Sequence, residues 1–191
     1  ITKIDWKIKG LENMPENGIC VIAGKHESTW ETLVLHATLK TTPAFVLKKE
    51  LLNIPIFGQA LAYTNNIAID RNGSADALKL VMKKAKEAME RGHSVVIFPQ
   101  GTRVPVHATT EKYPYKTGII GLVKYLKADV VPMVLNSGMY WSKRQFIKKP
   151  GTIKMEFLKP IKYEDIEKYS KKDFMNLLEE TIESGSKKLY N

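Results

Sequence analysis

The sequence predicts an α/β fold: a single domain over residues 1–191, with a mixed, largely parallel sheet flanked by helices. Three observations point there. Short continuous apolar runs, Ile19–Ala23 and Val95–Phe98, have the pattern of strands buried on both faces. Longer segments place apolar residues at helical spacing. The two kinds alternate along the chain, the order expected of an α/β domain.

The elements follow in order. Ile4, Trp6 and Ile8 alternate with Asp5, Lys7 and Lys9, as in a half-exposed strand. Further strands are predicted at Ala44–Leu47, Asn66–Ile69, Val130–Leu135 and Ile153–Phe157. A helix starts near Ser28 and carries Leu33, Val34 and Ala37 to about Leu39. A second runs from about Ser74 to Arg91 on an apolar face of Ala75, Leu78, Val81, Met82, Ala85 and Met89, with Gly92 as its stop. A short helix covers Gly118–Leu126, and a C-terminal one carries Phe174, Leu177, Leu178 and Ile182. No repeat, low-complexity tract or linker interrupts the series.

Composition narrows the function. Thirty Lys and Arg against 20 acidic residues give a net charge of +10, which favours an anionic partner: a phosphate-bearing substrate, an anionic membrane or nucleic acid. No nucleic-acid motif accompanies the charge, so nucleic acid is not expected as a partner. The one cysteine, Cys20, rules out an internal disulfide and lies in an apolar strand, where a buried core thiol is expected. His36 sits within a helix pattern, His93 in a turn and His107 in a polar loop, and none is expected to act chemically. No histidine pair has metal-ligand spacing, so no metal site is expected; no bound cofactor is expected either. No apolar run is long enough to span a bilayer and no signal peptide is visible. The chain opens on Ile rather than Met, which leaves open an upstream membrane-anchoring segment.

Four segments carry chemistry. Gly24-Lys-His-Glu-Ser-Thr-Trp-Glu31 follows a buried strand and enters a helix, so His26 falls at the carboxyl end of a strand, where α/β sheets place ligands. Glu31, in the first helical turn, can fix the imidazole tautomer and stabilise an imidazolium. Ser28-Thr-Trp-Glu31 also fits a capping box, in which Glu31 would serve the helix start. Lys48 to Gly58 contains the apolar stretch Leu51–Phe57, broken by Pro55; it reads either as a ligand- or membrane-facing loop or as a buried turn. Arg71 ends the next strand and suits a phosphate or a surface ion pair. In Pro99-Gln-Gly-Thr-Arg103, Gly101 lets backbone approach a ligand, Thr102 offers a hydroxyl and Arg103 a planar fork for phosphate. Lys116, ahead of a helix start, can add a second cation. Last, Val131-Pro132 belongs to a strand that runs into a polar and aromatic loop ending at Trp141.

Together these segments resemble the glycerolipid acyltransferase family, especially its 1-acylglycerol-3-phosphate acyltransferases. The likeness covers roughly residues 15 to 160 and keeps the family's motif order. The first family motif, His and Asp separated by four residues, reads His26 and Glu31 here. Lys48, Pro55, Gly58 and Arg71 match the second; Pro99-Gln-Gly-Thr-Arg103 matches Pro-Glu-Gly-Thr-Arg; Val131-Pro132 matches the fourth. Glu31 keeps the carboxylate of the usual Asp. Gln100, in place of Glu, can hydrogen-bond an acceptor but cannot act as a base.

The resemblance implies transfer of a fatty-acyl group from an acyl thioester to the free hydroxyl of lysophosphatidic acid, giving phosphatidic acid, with His26 as general base and Glu31 in support. It implies substrate contacts from Lys48, Arg71, Gln100, Gly101, Thr102, Arg103 and Lys116. The co-substrate is acyl-coenzyme A or an acyl carrier protein thioester. The expected location is the inner, cytoplasmic membrane face, peripheral or anchored, with an anionic lipid surface as partner. The alternatives are acylation of glycerol-3-phosphate or another lysolipid and, from another class, a non-catalytic basic module on anionic membranes.

Overall fold

The computed structural model describes residues 3–62, 64–70 and 75–190. The strands, β1 (Ile4–Lys9), β2 (Val21–Gly24), β3 (Pro43–Lys48), β4 (Ile67–Ile69), β5 (Ser94–Ile97), β6 (Val130–Leu135) and β7 (Gly151–Phe157), join one sheet in the order β1-β7-β6-β2-β5-β3-β4. Strands β6, β2, β5, β3 and β4 run parallel to their neighbours in that group. β7 is antiparallel to β6 and parallel to β1, so the sheet is mixed but mainly parallel, as predicted.

Side-chain alternation in β2 explains the layering. Val21 and Ala23 point to one face, where they pack with α3 (Ala75–Glu90), α4 (Gly118–Leu126) and the last helix, α7 (Lys171–Leu189). Cys20 and Ile22 point to the other face, toward Trp30, Val34 and Leu35 of α1 (Trp30–Thr38). Every side chain from Cys20 to Ala23 is fully buried, which is why this strand reads as a continuous apolar run. Leu35 alone, fully buried, contributes about 1.5–3 kcal/mol of transfer free energy.

Two details are decided by the structure alone. In α1 the buried stripe is Trp30, Glu31, Val34 and Leu35; Leu33 and Ala37 lie on the next row of the helix and face outward. Between β3 and β4, the stretch Leu51–Phe57 is not a buried turn. A 3₁₀ helix (Lys49–Asn53) leads to a bend that leaves Ile54 and Ile56 exposed, and α2 (Phe57–Ala62) follows.

The five parallel strands share one carboxyl edge. Gly24, Lys48, Ile69, Ile97 and Leu135 end there, and every segment singled out for chemistry leaves the sheet at that edge. Gly24 is needed at the end of β2: a Cβ on it would lie 2.7 Å from the Met133 carbonyl oxygen of neighbouring β6. The close strand approach puts the next residues, Lys25 and His26, directly over the sheet end.

Candidate active site

His26 and Glu31 meet as their spacing suggests. The imidazole Nδ1 lies 2.8 Å from Glu31 Oε1, with the His26 side chain 19% exposed and the Glu31 side chain wholly buried. The same Oε1 accepts the backbone N–H groups of Glu27 (2.7 Å) and Ser28 (2.8 Å). The capping and imidazole-holding roles therefore fall on one oxygen. The helix N-cap is Thr29, whose side chain makes no cap bond; the Trp30 N–H of the first turn goes to Ser28 Oγ instead, and Glu31 serves the two N–H groups just ahead of the cap.

The second oxygen, Oε2, accepts the Ser28 hydroxyl at 2.6 Å and lies 2.9 Å from the Ser137 hydroxyl. The two hydroxyls are 2.9 Å apart, and Ser28 Oγ also accepts the Trp30 N–H. Ser137 begins α5 (Ser137–Tyr140), directly after β6. Burial pushes the Glu31 carboxyl up, but the His26 hydrogen bond and charge and the Ser28 donors outweigh it and hold the group below the ordinary carboxylate range. An ionised Glu31 can only accept, so the imidazole proton belongs on Nδ1. Nε2 is left with its lone pair free to take a proton.

His26 is stacked on Phe98, ring centroids 4.2 Å apart and 14° from parallel, and Phe98 stacks in turn on Phe45 at 6.3 Å. Phe98 opens the loop that follows β5. Gly101, at a left-handed φ of 71°, turns this loop, and its N–H bonds the Phe98 carbonyl at 2.8 Å. The Val104 N–H then reaches the His26 carbonyl at 2.7 Å, which straps the loop to the histidine's own backbone. Gln100 is buried; its amide N–H bonds the Tyr113 carbonyl at 3.0 Å, and its Oε1 makes no hydrogen bond among the described residues. Thr102 and Arg103 are half-buried. Arg103 lines a cleft of about 480 Å³ with Glu27, Tyr113, Gly138, Lys143 and Arg144.

The remaining predicted residues vary in position. Lys48 is exposed at the end of β3. Lys116 is exposed ahead of α4, with its backbone N–H on the Pro99 carbonyl at 3.0 Å. Arg71 lies outside the described residues. His36 is exposed on α1, and His107 packs edge-on against Tyr190 at 4.8 Å.

A second buried network, which sequence reasoning missed, flanks His26 on both sides. Lys25, 1% exposed, pairs with Glu183 of α7 at 2.8 Å, and Glu183 also accepts the Tyr115 hydroxyl at 3.0 Å. Glu27, equally buried, accepts the Tyr190 hydroxyl and, at 2.9 Å, the Gly138 N–H. Burial raises the Glu27 carboxyl to about 7, the Tyr190 and Gly138 hydrogen bonds opposing this only in part. The C-terminal helix, through Glu183, and the residue that caps it, Tyr190, thus hold the neighbours of His26 from more than 150 positions away. Only charged residues at unexpectedly apolar neighbours could have signalled this, and Lys25 and Glu27 give no such sign in the sequence. Ser137 and Phe98 were likewise unsignalled.

Known proteins share this arrangement of elements. A family model described as Acyltransferase matches residues 5–136. The chain is 41% identical over 155 residues to a 1-acyl-sn-glycerol-3-phosphate acyltransferase of Pseudomonas aeruginosa, covering 81% of this chain and 58% of that protein. A 1-acyl-sn-glycerol-3-phosphate acyltransferase of Cocos nucifera is 32% identical over 123 residues, 64% of this chain and 39% of that protein. The crystal structure of a 1-acyl-sn-glycerophosphate acyltransferase from Thermotoga maritima superposes with a TM-score of 0.76 over 99% of this chain and 73% of that one; at 19% identity this is a likeness of fold. The chain spans less than two thirds of the length of these two curated relatives.

Proposed function

The chain belongs to the acyltransferase family, and from that premise we propose that it transfers a fatty-acyl group from an acyl thioester to the free sn-2 hydroxyl of lysophosphatidic acid, giving phosphatidic acid. The observation that carries this reading is the His26–Glu31 pair, in which a buried, fully engaged carboxylate leaves imidazole Nε2 as the available base. The relatives, named as 1-acyl-sn-glycerol-3-phosphate acyltransferases, support the acceptor.

The reaction runs through this chain's residues as follows. Nε2 of His26 takes the acceptor's hydroxyl proton as that oxygen attacks the thioester carbonyl. Glu31 stabilises the imidazolium formed. The tetrahedral intermediate collapses with cleavage of the C–S bond, and the thiolate takes the proton back from His26. Direct transfer suits the site because the one cysteine, Cys20, is fully buried just ahead of β2 with its thiol pushed up to about 12, and Ser28 and Ser137 are committed to Glu31. Arg103, with Arg71, Lys48 and Lys116, supplies the positive charge for the acceptor phosphate. Gln100, Gly101 and Thr102 form the loop beside it, and the unengaged Gln100 Oε1 is suited to accept a hydrogen bond from the acceptor. The donor is acyl-coenzyme A or an acyl carrier protein thioester. The chain works at the cytoplasmic face of an anionic membrane; among the described residues no helix is long and apolar enough to cross it.

The test is to incubate purified protein with lysophosphatidic acid and each donor and to identify the product by mass spectrometry. Phosphatidic acid is expected. Product from glycerol-3-phosphate alone, or from no acceptor, contradicts the assignment.

A further inference from the structure

The connection from β6 to β7 leaves the sheet at the same carboxyl edge as His26, since β7 runs antiparallel to β6. It reads Ser142-Lys-Arg-Gln-Phe-Ile-Lys-Lys149. Phe146 is 99% exposed and Ile147 82% exposed. They form the tip of an ordered loop. Its ends are joined by the Lys149 N–H on the Tyr140 carbonyl at 2.9 Å, and its entry is pinned by the Ser142 hydroxyl on the Gly138 carbonyl at 2.7 Å. Lys148 lies over the Trp141 ring with Nζ 5.3 Å from its centre. Arg144, at φ 65°, makes the turn with a non-glycine residue in the left-handed region.

An aromatic and a β-branched side chain held wholly in water contribute nothing to the core. Two cations stand on each side of them, Lys143 and Arg144 before, Lys148 and Lys149 after, and the segment from Tyr140 to Lys154 contains no acidic residue. Apolar tip and cationic flanks match the layering of an anionic bilayer surface, acyl boundary beneath and phosphates above. The other side of the same loop, through Lys143, Arg144 and Gln145, lines the cleft that holds Arg103 and Glu27.

We propose that the 142–149 loop docks on an anionic lipid surface, with Phe146 and Ile147 inserted at the headgroup boundary and Lys148 and Lys149 on lipid phosphates. The Arg103 cleft then opens at headgroup height, so that a lipid acceptor reaches it from the bilayer; this last consequence rests on the function proposed above. The site is distinct from the apolar Leu51–Phe57 stretch, which leaves the sheet after β3.

The test uses the whole chain with Phe146→Cys carrying an environment-sensitive fluorophore; Cys20 is fully buried and stays unlabelled. Vesicles of phosphatidylcholine with phosphatidylglycerol should shift the label to the blue and brighten it, and phosphatidylcholine alone should do so weakly. Phe146→Ser/Ile147→Ser should cut co-sedimentation with the mixed vesicles by roughly tenfold or more, and Lys148→Gln/Lys149→Gln should remove a similar factor of the preference for anionic vesicles. A label that keeps its aqueous emission while the chain sediments, or a double serine variant that sediments like the wild type, overturns the proposal, as does a chain that never sediments. Transfer to a short-chain lysophosphatidic acid in true solution should be unchanged in the double serine variant. Its absence in the wild type too counts against the proposed reaction and leaves the vesicle result standing.

Discussion

The hydroxyl of Ser137 lies 2.9 Å from Glu31 Oε2, the carboxylate oxygen that His26 does not use, although the two residues are 106 positions apart. With Ser28 it closes the second half of the carboxylate's hydrogen-bonding shell, so the imidazole's partner is fixed from both ends. A hydrogen bond to a charged group is worth about 1.5–3 kcal/mol. Ser137→Ala should therefore lower turnover by roughly tenfold or more, with little change in KM for either substrate, and Ser137→Thr should restore part of it. Steady-state kinetics of the two variants check this; an unchanged turnover in the alanine variant would separate Ser137 from the chemistry.

Glu27 predicts a pH dependence of stability. Its carboxyl is raised by burial to about 7 in the folded chain, from an ordinary 4.5, with the Tyr190 and Gly138 hydrogen bonds, the Glu31 charge and Lys25 as further influences. The folded state therefore holds more protons than the unfolded one between those values, and stability falls as pH rises through that window, by on the order of 3 kcal/mol. Glu27→Gln can donate to Tyr190 and accept from Gly138 without ionising. Urea unfolding at pH 5 and pH 8 should show a decline in the wild type that is flattened in the variant. Glu31 acts with the opposite sign: its lowered carboxyl gives stability that is present above the ordinary carboxylate range and lost as the pH falls below it.

Lys25 predicts the cost of breaking the link to the C-terminal helix. Removing its partner by Glu183→Ala leaves a buried ammonium unpaired, which typically costs 3–5 kcal/mol, roughly, in stability. Replacing both, with Lys25→Met and Glu183→Leu, should cost less than the single change. Chemical denaturation of the three proteins measures the difference.

Arg103 predicts a split between the two substrates. Its planar guanidinium can engage two phosphate oxygens at once, which Lys cannot copy. Arg103→Ala should raise KM for lysophosphatidic acid by about 10–100-fold, with Arg103→Lys recovering part of the loss and Arg71→Ala behaving similarly. KM for the acyl donor should change much less. If both variants lose donor affinity and keep acceptor affinity, the arginines hold the donor.

Much of the fold was legible because parallel strands buried on both faces leave continuous apolar runs, as Cys20–Ala23 does, and because the helices between them keep one apolar stripe. The His26–Glu31 contact was legible for a local reason: five residues across a strand–helix junction bring the pair together by backbone geometry alone. Ser137, Phe98 and the Lys25 and Glu27 partners were not, since each depends on which strand ends are neighbours in the sheet, β2 between β6 and β5, and on where α7 docks. Which side of α1 is buried was not legible for a related cause: periodicity gives the existence of a stripe in a short helix more reliably than its rotation, and here Leu33 faces outward while Glu31, a charged residue, belongs to the buried side.

The central claim is that His26 takes the acceptor's proton with Glu31 behind it. The most direct test is turnover of His26→Ala with lysophosphatidic acid and an acyl thioester, on protein whose circular dichroism matches the wild type. Nearly all transfer should disappear, while Glu31→Gln should lose about 10²–10⁴-fold and Glu31→Asp retain part of the activity. A folded His26→Ala protein that keeps more than about a tenth of wild-type turnover contradicts the account, because a base worth two or more orders of magnitude cannot be so nearly dispensable.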